Sequence, residues 1–285
     1  MDLESLAPER VEDVFARNGA NAITFSDAGD DPVFEPAPGE TPLWRATRIT
    51  GLFQADADLT ALRNDLLQDL SLAALPAHRI EVLEDRAWER EWLKDFRPMR
   101  FGEHLWICPS GFEIDDPQAT VIMLDPGLAF GTGTHATTAL CLEWLDGISV
   151  ENRSVLDYGC GSGVLAIAAL LSGASHATGL DIDRQALVAS RQNAVVNGVV
   201  ESFSVIQDAA KLDARYDVVL ANILAGTLIE HAAEISQQLA HGGQIALSGI
   251  LEEQIDAVAD AYGPWIAFGP VTTRDGWACL TGTRS

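Results

Sequence analysis

Across 285 residues the chain carries 18 Lys and Arg against 42 Asp and Glu, a formal charge of −24, with 47% apolar and 21% charged residues. That composition excludes a disordered or fibrous chain and allows a full core, divided into two domains at roughly 100 to 200 residues each. The acidic balance repels phosphate, so direct nucleic-acid binding is not expected, whereas a basic protein partner suits the field.

At the start, Glu9 to Asn18 sets Val11, Val14 and Phe15 at helical spacing and stops at Gly19, and Ala22 to Phe25 reads as a strand. The Pro/Gly-rich stretch Asp30 to Pro42 reads as a long surface loop. A strand around Trp44 to Phe53 follows it, then a helix carrying Leu59, Leu62, Leu66, Leu67 and Leu70, then a strand at Arg79 to Leu83. Helix, strand, strand, helix, strand describes a small ferredoxin-like α+β domain, residues 1–84, without its opening strand, so the chain is expected to begin late in that domain. A helix over Ala87 to Phe96, with Trp88, Trp92, Leu93 and Phe96 on one face and Pro98 ending it, reads as a connector within residues 85–104.

The third part, residues 105–285, alternates strand and helix from Val155 onward. Strands are expected near Val155 to Asp157, Ala177 to Asp181, Phe203 to Ile206, Asp217 to Ala221 and Gln244 to Ser248. Helices are expected at Val164 to Ser172, Arg184 to Asn197, Gly226 to Leu239 and Glu252 to Tyr262. Trp265 to Thr272 and Trp277 to Thr281 close the fold as a hairpin around Asp275-Gly276. The class is α/β: a doubly wound, mostly parallel sheet whose ligand site lies beyond the carboxyl ends of the strands, where the winding reverses.

The first strand-to-helix turn there reads Asp157-Tyr158-Gly159-Cys160-Gly161-Ser162-Gly163. Alternating glycines permit a tight turn and close approach of a ligand to the backbone. A dinucleotide fingerprint needs its third glycine where Val164 stands, and Asp157 would repel a pyrophosphate while tolerating a cationic sulfonium or ammonium. This D-x-G-x-G-x-G pattern resembles the first motif of S-adenosylmethionine-dependent methyltransferases. Asp181 ends the second strand, where a carboxylate can accept from both ribose hydroxyls. Asp183 suits a helix N-cap, and Asp208 suits either an adenine amino group or a turn cap.

Upstream, Phe130-Gly131-Thr132-Gly133-Thr134-His135 leads through Thr137 and Thr138 into a helix. Hydroxyls and free N–H groups at such a start suit a carboxylate. The fourth strand ends at Asn222, whose side-chain oxygen can orient an attacking amine. Adenine and glutamine methylases usually carry Asn-Pro-Pro-aromatic at that place. Ile223-Leu224-Ala225 departs from this at every step and disfavours a planar substrate. The four cysteines and six histidines are scattered without ligand spacing, so reduced thiols and no metal site are expected. The longest apolar run, Val164 to Leu171, falls far short of the ~20 residues of a membrane helix. Met1-Asp2-Leu3-Glu4 is acidic where a secretory signal is basic, so a cytoplasmic location is expected.

Taken with Trp88-Glu89-Arg90-Glu91-Trp92, Pro98-Met99-Arg100-Phe101-Gly102, Asp181-Ile182-Asp183 and Ser248-Gly249-Ile250-Leu251, these segments make nearly the whole chain resemble the bacterial methyltransferases of large-subunit ribosomal protein eleven. The resemblance implies a seven-stranded, Rossmann-like class I methyltransferase sheet and a protein-lysine N-methyltransferase. It implies S-adenosylmethionine bound by Thr138, Gly159, Asp181 and Asn222, with Thr134, Asp157, Gly161 and Asp208 in support. It also implies a recognition role for the small domain and a connector that lets several amines reach one site. Ala136, where the family usually has proline after the loop histidine, is a departure that should loosen the loop. The implied reaction is in-line attack of a neutral amine on the sulfonium methyl, releasing S-adenosylhomocysteine. Asn222 would orient the amine, and water or His135 would take its proton. A monomer is expected, and the same residues would also serve methylation of another basic protein or of a small molecule. Val164 and the lack of a hydride-site constellation disfavour a nicotinamide-dependent oxidoreductase.

Overall fold

The structure is a computed structural model that describes residues 1–3, 6–29, 43–83, 97–125, 133, 135–212 and 215–285. The Pro/Gly-rich stretch 30–42, the connector helix expected at 87–96 and Thr134 with most of its loop lie outside these residues. The chain divides into two compact units, Met1–Arg86 and Ala87–Ser285.

In the first unit, helix α1 (Pro8–Arg17) has proline in its opening turn, where a missing N–H costs nothing, and buries Val11, Val14 and Phe15. Strands β1 (Ala22–Asp27) and β2 (Thr47–Leu52) pair antiparallel. Helix α2 (Leu59–Asp69) starts on Asp58, whose carboxylate accepts from the amides of Thr60 and Ala61, and it buries Leu62 and Leu66. Met1–Leu3 forms a single antiparallel bridge, Asp2 opposite Arg48. The Leu3 amide donates to the Thr47 carbonyl, the Ile49 amide to the Met1 carbonyl and the Asp2 amide to the Ala77 carbonyl. Met1–Leu3 therefore lies between β2 and Ala77. Arg79 to Leu83 forms no strand: Ile80 and Val82 are 67% and 85% exposed, so among the described residues the alternating pattern that predicts one has no partner to pack on.

The second unit opens with a three-stranded sheet absent from the sequence reading, β3 (Met99–Phe101), β4 (Leu105–Cys108) and β5 (Thr120–Met123). Phe101, Leu105, Ile107 and Ile122 of that sheet enter the same core as helices α3 (Ala136–Asp146) and α4 (Val164–Leu171). The main sheet runs β11 (Ile266–Phe268), β13 (Trp277–Arg284), β10 (Leu239–Leu251), β9 (Tyr216–Asn222), β6 (Ser154–Tyr158), β7 (His176–Leu180), β8 (Phe203–Ile206). Short β12 (Thr272–Arg274) pairs β13 through the Asp275-Gly276 turn, where both residues take positive φ as a two-residue hairpin turn requires. The pairs among β8, β7, β6, β9 and β10 are parallel, and β13 is antiparallel to its neighbours. Strands such as Val218-Val219-Leu220-Ala221 are wholly buried because helices cover both faces. Helices α3, α4 and α5 (Arg184–Val196) pack on one face. The other face carries α6 (Ala225–Glu230), α7 (Ala232–Gln238) and α8 (Ile255–Tyr262). The single helix expected over Gly226 to Leu239 is broken at His231, whose ψ of 12° leaves the helical range.

Candidate active site

From β6 the chain winds outward through β7 to β8, then returns to the other side of β6 as β9. Connections diverge from the carboxyl ends of β6 and β9, which opens a crevice between Gly159 and Asn222. All three glycines of the first turn adopt left-handed φ, +78° at Gly159, +52° at Gly161 and +77° at Gly163. At Gly159 a Cβ would stand 2.2 Å from Ile223 Cγ2, so space as well as φ demands glycine there.

Two carboxylates set the turn. Asp181, just past β7, accepts from the Gly161 amide on one oxygen and from the Asp183 amide on the other, both at 2.9 Å. Each oxygen keeps a second lone pair for another donor. Asp157 is 1% exposed, and one of its oxygens accepts from the Ala166 amide at 3.1 Å. Helix α4 begins on Gly163, which has no side chain to cap it, and Asp157 reaches from the strand end to serve as that cap. Burial pushes the Asp157 carboxyl up to about 7, against the opposing pull of the Ala166 N–H. Burial likewise raises the Cys160 thiol, helped by the charges of Asp157 and Asp181, so this cysteine is a packed thiol and not a nucleophile.

Across the crevice the Asn222 amide donates to the Thr138 hydroxyl at 3.3 Å, with Thr138 fully buried in the first turn of α3. His135 is the N-cap of that helix. Its Nδ1 lies 3.4 Å from the Thr137 amide, which donates to it, and 2.8 Å from the Thr137 hydroxyl. The His135 ring meets Trp277 edge-on with centroids 4.9 Å apart. Asp183 caps α5 through the Gln185 amide, as expected. Asp208 caps a short turn through the Ala210 amide at 3.0 Å, one of the two roles open to it from sequence.

Thr138, Asp157, Asn222 and the Gly159 to Gly161 backbone enclose a cavity of about 20 Å³, floored by Val164 and Leu165. A larger groove of about 430 Å³ runs along α5 and β8, lined by Leu187, Val188, Arg191, Gln192, Val195 and Val205, and shares no residue with the crevice. Neither Lys nor Arg lines the crevice among the described residues, so a pyrophosphate would find no counter-charge, whereas carboxylates, an amide and a hydroxyl suit a ribose and a cationic group. The donor set fits S-adenosylmethionine. Among the described residues no three or more His, Cys, Asp or Glu side chains are grouped to hold a metal ion.

Residues 1–285 match the family described as ribosomal protein L11 methyltransferase (PrmA). The chain belongs to that family. An L11 methyltransferase from Idiomarina loihiensis is 50% identical over 281 residues, 99% of this chain and 96% of its own length. One from Klebsiella pneumoniae is 51% identical over 278 residues, 97% of this chain and 95% of its own. A solved ribosomal protein L11 methylase from Lactobacillus delbrueckii subsp. bulgaricus superposes with a TM-score of 0.62 at 30% identity, covering 67% of this chain and all of its own. The sheet is accordingly that of a class I methyltransferase in an L11 methyltransferase family member. Of the residues the sequence singles out, the fold gathers Thr138, Asp157, Gly159, Gly161 and Asn222 around one cavity and sets Asp181 beside Gly161. Asp208 does not line that cavity, and one of its oxygens accepts from the Ala210 amide. Sequence reasoning missed the capping role of Asp157, although a glycine N-cap after a strand that ends in an acid is a usable signal. It also missed Trp277 against His135, a pairing between residues 142 positions apart.

Proposed function

We propose that this chain transfers methyl groups from S-adenosylmethionine to amines of ribosomal protein L11, on lysine side chains or the N-terminal amine. The carrying observation is the crevice at the winding switch, lined by the buried Asp157 with Asn222 and Thr138, in a chain that matches its family over residues 1–285. When bound, the donor supplies an activated methyl group and leaves as S-adenosylhomocysteine, so alignment is the main demand on the protein.

Asp181 would hold the ribose through the lone pairs left after bonding Gly161 and Asp183. Thr138, Gly159 and Asp157 would hold the rest of the donor, Asp157 by its charge. Because Asn222 gives its NH₂ to Thr138, its carbonyl oxygen is turned to accept an N–H of the incoming amine. A lysine amine of ordinary pKa ~10.4 is neutral in roughly one molecule in a few thousand at pH 7, and desolvation in the crevice enlarges that share. Water takes the proton in this reading, and His135 serves as the N-cap of its helix. The smaller unit, which contributes none of the crevice residues, is assigned to recognition of the protein substrate, and the work is placed in the cytoplasm.

Incubating the purified chain with L11 and labelled donor, followed by intact-mass measurement, should show L11 gaining multiples of one methyl mass. Unlabelled L11, with transfer to another basic protein or a small molecule in the same assay, would move the substrate elsewhere.

A further inference from the structure

We infer that the β-bulge at Ser248-Gly249 is the device that positions Asn222, with Gly249 as its critical residue, an inference that rests on reading Asn222 as the group that orients the amine. Along β10 the antiparallel ladder with β13 runs from Gln244 opposite Thr283 to Leu247 opposite Leu280, and resumes with Ile250 opposite Ala278. Two residues of β10, Ser248 and Gly249, therefore face the single residue Cys279. Bulges of this kind bend a strand and re-aim what it carries, and they concentrate beside active sites. The buried Ser248 hydroxyl fastens this one by donating to the Ala278 carbonyl at 3.0 Å.

On its other side β10 pairs with β9, and the last matched pair is Ser248 with Asn222. The Ile223 amide then donates to the Ser248 carbonyl at 3.2 Å. Gly249 has φ +82°, and a Cβ on it would lie 2.3 Å from the Ile223 carbonyl oxygen, 2.8 Å from its carbon and 3.1 Å from its nitrogen. All three are backbone atoms, which cannot swing aside as a side chain would. The Ile223 side chain in turn seats on Gly159, where an added Cβ would stand 2.2 Å from its Cγ2. The Asn222-Ile223 step is thus held between two bare glycine Cα atoms, and Asn222 is thereby aimed at Thr138. Gly249 touches neither donor nor amine in this reading; it acts through Asn222.

The test compares Gly249→Ala with Gly198→Ala, a control at φ +70° with no atom near its missing Cβ. Turnover on L11 is normalised to donor-binding sites counted by calorimetry. In Gly249→Ala, kcat per site should fall by about 10- to 100-fold with the donor Kd within about threefold, as expected for misplacement of a reacting group. The side-chain ¹⁵N amide signal of Asn222, identified by its loss in Asn222→Ala, should shift. Gly249→Asn tolerates the left-handed φ but keeps a Cβ, so it should stay impaired. Unchanged kcat per site in Gly249→Ala, an equal loss in Gly198→Ala, or recovery in Gly249→Asn would each overturn the inference. Should Gly249→Ala not fold, Ser248→Ala decides: a several-fold lower kcat with a moved Asn222 signal supports positioning by the bulge, and no change in either refutes it. Full turnover in Asn222→Ala would instead remove the amine-orienting role itself, whereas Asn222→Ala inactive beside a fully active Gly249→Ala removes only the bulge.

Discussion

The Asn222 side chain at the end of β9 and the Thr138 hydroxyl in the first turn of α3 meet at 3.3 Å, although 84 residues separate them in sequence. In the proposed function their contact ties the amine side of the crevice to the helix on its cofactor side. Thr138→Val keeps the shape and removes the acceptor, freeing the Asn222 amide to rotate. Turnover with L11 should fall by about tenfold, in keeping with the cost of imperfect alignment, while Thr138→Ser retains most of it. Steady-state rates with labelled donor check this, and equal rates for parent and Thr138→Val would show that the contact plays no part.

A buried acid at the base of the crevice makes stability depend on pH. The Asp157 carboxyl is raised from 3.8 to about 7 in the folded chain, so between those values the folded state holds a proton that the unfolded state has lost. Stability contributed by this group is complete below about pH 4 and declines as pH rises to about 7, by at most about 4 kcal/mol. Asp157→Asn keeps an acceptor for the Ala166 amide but cannot ionise. Denaturant midpoints should show the variant gaining on the parent from pH 5 to pH 8, and parallel profiles would contradict the assignment. A cationic donor favours the ionised carboxylate, so calorimetry should find donor binding by the parent tightening across the same range and the Asn variant unresponsive.

The glycine turn is readable because its residues need conformations or space that other side chains lack, and the buried parallel strands because their apolar runs serve two covered faces. Features that depend on a distant partner are not readable. Ile80 and Val82 alternate as a strand would, yet strand propensity expresses packing against a neighbour, and they are exposed. The break at His231 falls where neither proline nor glycine marks it. In β3 to β5 the strands are only three or four residues long, too short for periodicity to register, and the bulge at Gly249 shows itself only once Cys279 is paired across from it. Asp157 reads at once as an acid near a ligand, while its capping bond to the Ala166 amide nine residues ahead is signalled only by the glycine N-cap that follows the acid-ended strand.

Asp181 holds the turn and, in the proposed function, the ribose. Asp181→Ala would leave the Gly161 and Asp183 amides without their acceptor, a loss of about 1 to 3 kcal/mol where no water replaces it. The donor KM should rise by one to two orders of magnitude while kcat at saturating donor falls much less, because the amine side of the crevice is untouched. Titration calorimetry with S-adenosylhomocysteine gives the same comparison free of turnover. Equal losses in kcat and in donor affinity would mean that Asp181 shapes the whole crevice and does not act on one ligand group.

His135 separates a structural from a chemical role. Its Nδ1 caps the helix, 3.4 Å from the Thr137 amide and 2.8 Å from the Thr137 hydroxyl, so the ring has a structural task whether or not it meets the amine. Asparagine is among the best N-caps, so His135→Asn should keep both stability and turnover, while His135→Ala should cost about 1 kcal/mol of stability through loss of the cap. In neither variant should the pH dependence of kcat on L11 lose a limb, since no proton is exchanged with the ring during transfer. If the acidic limb of the kcat profile disappears in His135→Asn while the thermal midpoint stays in place, the histidine is the proton acceptor and the assignment to water is wrong.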